Sequence, residues 1–382
     1  MAYTIPTHQL AKYKTFLSEA KKHAGHMSVE FQRRRAAFQF ARARESSTGA
    51  IDMRKLAFYK TRDDIFRSST QLANAQSHGM FMLIDHSISM CNVRESVVDR
   101  VIELCEFCRL SSIPFVVYGF TTGYTHNEVR SNVTNSISMT GVMMLELVNS
   151  RMSQSEYAEA ILDYWYSSRS GEYCSATEDH LGSTPLQEAL ILSHTLAKDF
   201  KRTSGIQKLN MVVISDGDGN ALSRVTDENG VATSTYNRKL EMELNGERVT
   251  VMSNKYTESY TALVENLRKT LDAKLICFFL FGGNRTPDKM AEAGMSFDKS
   301  DIGVVYDKLY GYDAFFGMKT ASFNNDDIDD ADDILERKLQ TRQRQNKDTA
   351  VKVSDIRAAF VKSAVNHAER NQFAQKFVQM IA

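Results

Sequence analysis

The stretch HGMFMLIDHSISM, residues 78–90, decides how the chain is read. Met80-Phe-Met-Leu-Ile84 is apolar throughout, and the run ends abruptly in Asp85-His-Ser-Ile-Ser89. A strand with one face in water alternates apolar and polar residues. An unbroken apolar run bounded by polar residues is what a strand buried on both faces requires. Similar runs occur at 115–118 (FVVY), 209–214 (LNMVVI) and 275–281 (LICFFLF). Between them, residues 93–110, 154–166, 185–200 and 258–271 carry apolar side chains at spacings of three and four, as in Val97, Val101, Ile102 and Cys105. That is helical periodicity. Strand and helix in alternation predict an α/β fold, Rossmann-like, with a mainly parallel central sheet flanked by helices. The expected sheet strands are 80–84, 114–120, 209–215 and 274–281, with one or two more.

Outward from this centre the pattern changes. Residues 219–255 are rich in Thr, Asn and Gly, with turn signals at Glu228-Asn-Gly230 and Leu244-Asn-Gly-Glu247. One β-hairpin or a pair is expected there, inserted after the 209–215 strand. Residues 1–77 read as a basic, largely helical arm. Up to residue 75 it holds fourteen Lys/Arg against six Asp/Glu, with Arg33, Arg34, Arg35, Arg42 and Arg44 clustered. Ser46-Ser-Thr-Gly49 breaks the helix. Leu56, Phe58, Tyr59, Ile65 and Phe66 form an apolar set too large to leave in water, so the arm is expected to pack on the core or on a partner. Residues 78–320 form the α/β domain. Residues 321–382 read as an acidic linker, with six aspartates in 325–333, followed by an amphipathic helix over 354–381. The basic front is open to several readings: a solvated helix face, contact with the chain's own acidic stretch, an acidic partner, or nucleic acid.

Bulk composition excludes several classes. The 382 residues are 42% hydrophobic and 25% charged, with 47 basic and 47 acidic side chains and four prolines. These are ordinary values for a globular protein. No run reaches the 18 or so apolar residues of a membrane span, and residues 1–9 lack the apolar core of a signal peptide. A cytoplasmic location is therefore expected. Five cysteines make no disulfide framework. Cys105 and Cys108 form a CxxC without a second ligand pair, and on a helix of this periodicity they are expected to face the core.

The chemistry sits where strands end. In an open α/β sheet, ligands bind beyond the carboxyl ends of the strands. Asp85, Ser87 and Ser89 follow the first run; Thr184 lies in Gly182-Ser-Thr-Pro-Leu186 ahead of a helix; Asp216 follows the 209–215 run in Ser215-Asp-Gly-Asp218. Together they offer two carboxylates and three hydroxyls, all oxygen donors, which suits a hard divalent cation with Mg²⁺ favoured. Asp218 reads equally as an outer contributor or as a turn aspartate. His86 either tunes the site or packs beside it, and packing is favoured because imidazole is a poor ligand for a hard cation.

DxSxS, then Thr in a GxTPL loop, then Asp in a DG turn resembles the von Willebrand factor A (VWA) family and its metal-ion-dependent adhesion site. The chain is similar in particular to the CobT-type VWA subunit of cobaltochelatase and its tailed-bacteriophage relatives. That similarity spans roughly residues 28–320, through Glu30-Phe-Gln-Arg-Arg-Arg35, Thr48-Gly-Ala-Ile-Asp-Met-Arg-Lys-Leu56, Tyr59-Lys-Thr-Arg-Asp-Asp-Ile-Phe66, His78-Gly79, Met144-Leu-Glu-Leu147 and Ser150-Arg-Met-Ser153. The resemblance implies that Ser87, Ser89 and Thr184 ligate the metal directly, and Asp85 and Asp216 directly or through water. One coordination position is left for an acidic side chain of a partner protein. Relatives carry an aromatic after the first Asp and Gly between the two serines; here His86 and Ile88 stand there.

No GxxxxGK[ST] phosphate loop, GxSxG or HExxH is present. The resemblance therefore implies a non-catalytic adaptor beside a MoxR/CobS-type AAA+ ATPase, in ATP-driven remodelling or chelatase-like metal insertion, in the host cytoplasm if phage-encoded. The alternatives are a structural or virion-associated protein that uses the same face for assembly, and a nucleic-acid-binding protein driven by the arm. The arm's few aromatics and the acidic run speak against nucleic acid, and no membrane partner is expected.

Overall fold

The structure is a computed structural model and describes residues 5–41, 44–46, 69–71, 77–123, 142–169, 182–216, 219, 222, 224–226, 232–234, 239–252, 255–281, 304–306, 309–319, 377, 378 and 381. Its centre is a seven-stranded sheet formed by β3 (His78–Asp85), β4 (Phe115–Thr122), β5 (Val142–Asn149), β6 (Lys208–Ser215), β11 (Ala273–Phe281), β12 (Val304–Tyr306) and β13 (Ala314–Lys319). The spatial order is β12-β13-β11-β6-β3-β4-β5. The four apolar runs are the four neighbouring strands β11, β6, β3 and β4, all parallel. β13 extends them in parallel, while β5 and β12 add antiparallel edges. Three strands thus join the four expected. β5 escapes the periodicity reading because an edge strand is half covered: in VMMLELVN only Val148 is fully buried.

Alternate residues of the central strands feed two separate cores. Met80, Met82, Ile84, Val212, Ile214, Ile276 and Phe278 face α1 (Thr7–Ala41), α2 (Arg94–Leu110) and α3 (Gln154–Ser167). Phe81, Leu83, Met211, Val213, Leu275 and Cys277 face α4 (Leu186–Ser204) and α5 (Tyr256–Leu271). A strand wedged between two helix layers must be apolar at every position, which is why these runs show no alternation. Cys105 and Cys108 are buried in α2, as the helical spacing predicted, and burial pushes both thiols up.

The helix of the arm, α1, packs on the domain. In α1, Tyr13, Ala20, Ala24, Met27 and Phe31 are buried. Phe31 meets Phe107 edge-on at 5.7 Å and Tyr13 meets Trp165 at 5.4 Å. Leu56, Phe58, Tyr59, Ile65 and Phe66 lie outside the described residues. Three carboxylates of α2 are buried as well, each with a partner. Asp99 is paired with Arg169, Glu103 with Arg100 and with His23 of α1, and Glu106 accepts from Tyr157. Lys12, Lys14, Lys21, Lys22 and Arg33 lie on the exposed side of α1. The helix ends at Ala41, before the predicted breaker, and β1 (Arg44–Ser46) pairs antiparallel with β2 (Ser69–Gln71).

After β6 come two hairpins, β7 (Arg224–Thr226) with β8 (Ala232–Ser234) and β9 (Lys239–Leu244) with β10 (Glu247–Met252). The second closes on Asn245-Gly246, both at positive φ (52° and 81°), the two-residue turn that matches strand twist. Of the C-terminal segment, Phe377, Val378 and Ile381 are buried in the α1–α3 core; the acidic run lies outside the described residues. Among the described residues no helix is long and apolar enough to cross a membrane.

Because Phe31 fills the α1–α2 seam, Phe31→Ala should lower unfolding stability by about 3 kcal/mol or more, the usual cost of emptying a buried Phe site. Urea denaturation followed by Trp165 fluorescence checks this. A loss under about 1 kcal/mol would show that α1 is only loosely docked.

Candidate metal centre

Asp85 is the last residue of β3 and lies beside Ser215, the last of β6, since Ile84 and Ile214 are paired in parallel register. Ser215 Oγ donates to Asp85 Oδ2 at 2.6 Å, and the backbone N–H of Ser87 donates to Oδ1 at 2.8 Å. The carboxylate is 2% exposed, and these two donors are neutral. Burial pushes its pKa up from 3.8 to about 6; the hydrogen bonds from Ser215 and Ser87 oppose this, and the charge of Asp216 adds to it.

From Asp85 the chain turns across the carboxyl ends of the strands. His86 N–H donates to Phe120 O at 2.9 Å, which continues the pairing with β4. The His86 ring is buried, stacks on Tyr164 (5.9 Å, 14°) and lies with Nε2 3.3 Å from the Tyr164 hydroxyl. It rests on Gly119 of β4, where a Cβ would come within 3.1 Å of the ring. Burial, aided by Arg94, lowers its pKa to about 3, so the imidazole is neutral. The ring packs between Tyr164 and Gly119.

Ser87 forms a parallel bridge with Gly182, and Ile88 N–H donates to Gly182 O at 2.9 Å. The Gly182 loop is held in turn by β4: Gly182 N–H donates to Thr121 Oγ1 (3.0 Å) and Ser183 N–H to Thr122 Oγ1 (2.7 Å). A Cβ on Gly182 would lie 2.2 Å from Thr122 O, so this close approach demands glycine. A short 3₁₀ turn, Ile88–Asn92, follows the bridge. Ser87 Oγ and Ser89 Oγ are 2.9 Å apart, and Ser89 Oγ donates to Asp216 Oδ1 at 2.8 Å.

Asp85, Ser87, Ser89 and Asp216 are thus joined at one sheet edge, with Ser215 closing the set. Thr184 is buried two residues beyond Gly182, just ahead of α4. Its carbonyl lies 3.3 Å from where a Cβ of Gly219 would stand, so it is flanked by the segment tied to Ser87 and by the segment that follows Asp216. Pro185 caps α4 from just outside it; the helix begins at Leu186. The loop after Asp216 is fastened by Gly219 N–H to the Tyr256 hydroxyl (2.7 Å) and by Leu222 N–H to Gln187 Oε1 (3.3 Å). Asp218 lies outside the described residues.

Sequence reasoning missed Ser215, Thr121 and Thr122. Ser215 had a signal: it precedes Asp216 at the end of a strand in register with β3. The two threonines read as ordinary strand residues, because their role depends on a loop sixty residues away in sequence. Among the described residues no three His, Cys, Asp or Glu side chains gather where they would hold a metal. The candidate set instead combines two carboxylates with hydroxyls. Its chemistry fits a hard cation: oxygen donors only, one carboxylate removed from water, and a second linked to it through two serines.

Comparison with family profiles gives no match, and neither does comparison with curated proteins. Among solved structures, the pilus adhesin SpaC from Lactobacillus rhamnosus GG, in an open conformation, is similar over 80% of this chain at 11% identity, with a TM-score of 0.33. The chain spans 31% of that adhesin's length. A likeness this slight bears on neither fold nor function.

The raised pKa of Asp85 has a definite sign. A carboxyl whose folded pKa lies above its unfolded one costs nothing while protonated. It then destabilises the fold increasingly as pH rises from 3.8 to about 6. In EDTA, Asp85→Asn should remove this contribution and leave the variant with a higher melting temperature than the native protein at pH 7.5 but not at pH 4. Thermal denaturation at the two pH values measures it. Equal differences at both would mean that Asp85 charge is not the cause.

Proposed function

We propose that the chain is a VWA-type docking module, a metal-dependent protein-binding adaptor whose centre is Asp85, Ser87, Ser89, Thr184 and Asp216. The observation that carries this reading is the hydrogen-bonded set at the ends of β3 and β6. There a buried carboxylate, two serine hydroxyls and a second carboxylate lie together. Such a group is costly in isolation, because a desolvated carboxylate with only neutral donors lacks charge compensation. A divalent cation, Mg²⁺ by preference, would be held by these residues and would supply positive charge to an incoming carboxylate. The chain's own residues do the rest. Ser215 and the Ser87 amide fix Asp85, Gly182 fixes the Ser87–Ser89 loop, and Tyr256 and Gln187 fix the loop after Asp216.

Three hydroxyls and two carboxylates leave a divalent cation short of direct anionic ligands, so an Asp or Glu of a protein partner is attracted to it. The resemblance to CobT-type proteins supports an AAA+ ATPase of the MoxR/CobS class, or that ATPase's target, as the partner. The adaptor would then recognise and the ATPase would supply the energy, for remodelling or for metal insertion.

Asp85→Ala should abolish Mg²⁺ binding by titration calorimetry and the recovery of the ATPase or its target in pull-downs. The fold, followed by circular dichroism, should remain. Recovery of the same partners by the native protein in EDTA without ATP, and by Asp85→Ala, would defeat the proposal and favour a structural, particle-associated role.

A further inference from the structure

α4 begins two residues beyond Thr184 and runs for 19 residues. A helix of that length spans roughly 28 Å, so its last turn lies far from the candidate centre. There a cavity of about 340 Å³ opens between α4, the end of α5 and the β9–β10 turn, lined by Lys198, Lys201, Arg202, Asn245, Thr270 and Leu271. Lys201 and Arg202 follow Lys198 at spacings of three and four, which puts all three cations on one face of the helix. Among the described residues no carboxylate lines the cavity. Cations in a last turn also complement the helix dipole, and part of the charge is used at a helix end. Lys201 Nζ donates to Leu271 O, in the last turn of α5, at 2.8 Å, which leaves its other ammonium protons for a ligand. Arg202 pairs with Asp199 at 3.2 Å on exposed surface, a contact of small worth. Lys198 has no hydrogen bond or ion pair among the described residues. The neutral groups, by contrast, are bonded to one another. Asn245 Nδ2 lies 3.0 Å from His194 Nδ1 and 3.4 Å from Thr270 Oγ1, and Thr270 Oγ1 donates to Asn266 O at 2.8 Å. These bonds fasten the hairpin turn to α4 and α5 and fix the wall of the cavity. What the wall mainly leaves for a ligand is N–H donors on cations.

We propose that this cavity is a second binding site, for a compact anion of two or three linked phosphates held through its phosphate oxygens alone. Three cations call for a multiply charged ligand, which a single carboxylate is not. Phosphate oxygens accept from a guanidinium in pairs and from ammonium groups as point charges. The cavity is larger than one phosphate fills. No aromatic side chain lines it, so a nucleobase has nothing to stack on. A free linear polyphosphate and the phosphate tail of a nucleotide share this chemistry. The site is independent of the metal centre and of the docking function proposed for it.

Titration calorimetry on the full chain in EDTA tests this with inorganic tripolyphosphate, ATP and citrate as probes. Tripolyphosphate and ATP should bind saturably, with dissociation constants within about twofold of each other, and citrate should bind at least about tenfold more weakly. Added NaCl should weaken the binding. Lys198→Ala and Arg202→Ala, at exposed positions that leave the fold intact, should each weaken tripolyphosphate by about tenfold, the usual effect of losing one charged hydrogen-bond donor. Lys269→Ala, on the adjoining surface where Lys269 pairs with Glu247, and Lys22→Ala, on the basic arm, should leave it unchanged. Asp85→Ala should leave it unchanged too, which separates this site from the metal centre. The absence of saturable binding would overturn the proposal. So would a loss at Lys269 or Lys22 equal to that at Lys198, since the attraction would then be diffuse. Binding of ATP without tripolyphosphate, or of citrate as tightly as tripolyphosphate, would overturn the assignment to phosphates.

Discussion

The parallel pairing of β3 with β6 is the constraint on which the rest of the molecule depends. Both strands are apolar at nearly every position, because helices cover the sheet on both faces, and their register places Ile84 opposite Ile214. The polar residues that end each run are then forced to the same edge. Ser215 arrives beside Asp85 and Asp216 beside Ser89 without any local interaction between sequence positions about 130 apart. A slip of one residue would turn each strand's two-core assignment inside out, placing Phe81 where Met80 belongs. The cores on either face thus set the geometry of the carboxylates. The hydrogen bonds at the edge refine a placement that packing has already made.

What was legible in the sequence follows from the same physics. Central strands are readable because burial on two sides leaves no polar position, and helices over one core are readable by their spacing. Asp85, Ser87, Ser89, Thr184 and Asp216 were legible as residues at strand ends and loop positions. The edge strands β5 and β12, and β13 next to β12, were not. Partial cover dissolves the pattern in β5, and β12 is only three residues long. The anchoring of α1 was hard to read for a different reason. Its buried side is built largely from Tyr13, Ala20, Ala24, Met27 and Phe31, and two alanines among charged residues give a weak apolar stripe. Close helix approach uses such small residues, so the contact α1 makes carries only a faint signal.

Polar groups placed where burial is costly mark the two ends of the argument. In α2, Asp99, Glu103 and Glu106 are buried with partners: Arg169, Arg100 with His23, and Tyr157. These fix how α1 and α3 seat on α2, because an apolar surface alone would tolerate sliding. Asp85 differs. Its donors are a hydroxyl and an amide, and its nearest charged companion is another carboxylate, Asp216, whose charge raises its pKa further. Asp99, by contrast, is paired with Arg169. Among the described residues no arginine or lysine is paired with Asp85, so only the Ser215 hydroxyl and the Ser87 amide are seen to offset its burial.

On the metal-docking reading proposed above, that burial would also account for the stiffness around it. A site that must present oxygen atoms to a small cation gains from a loop whose shape is settled beforehand, since ordering it on binding would cost affinity. Glycine between the serines would make the loop pliant; Ile88 restricts it, at the expense of an aliphatic side chain left in water. Gly182 supplies the complementary freedom, approaching Thr122 more closely than any side chain would allow. The loop is therefore restricted at Ile88, between the two serines, and fastened at Gly182. The exposed isoleucine is what remains at the surface once that division is made.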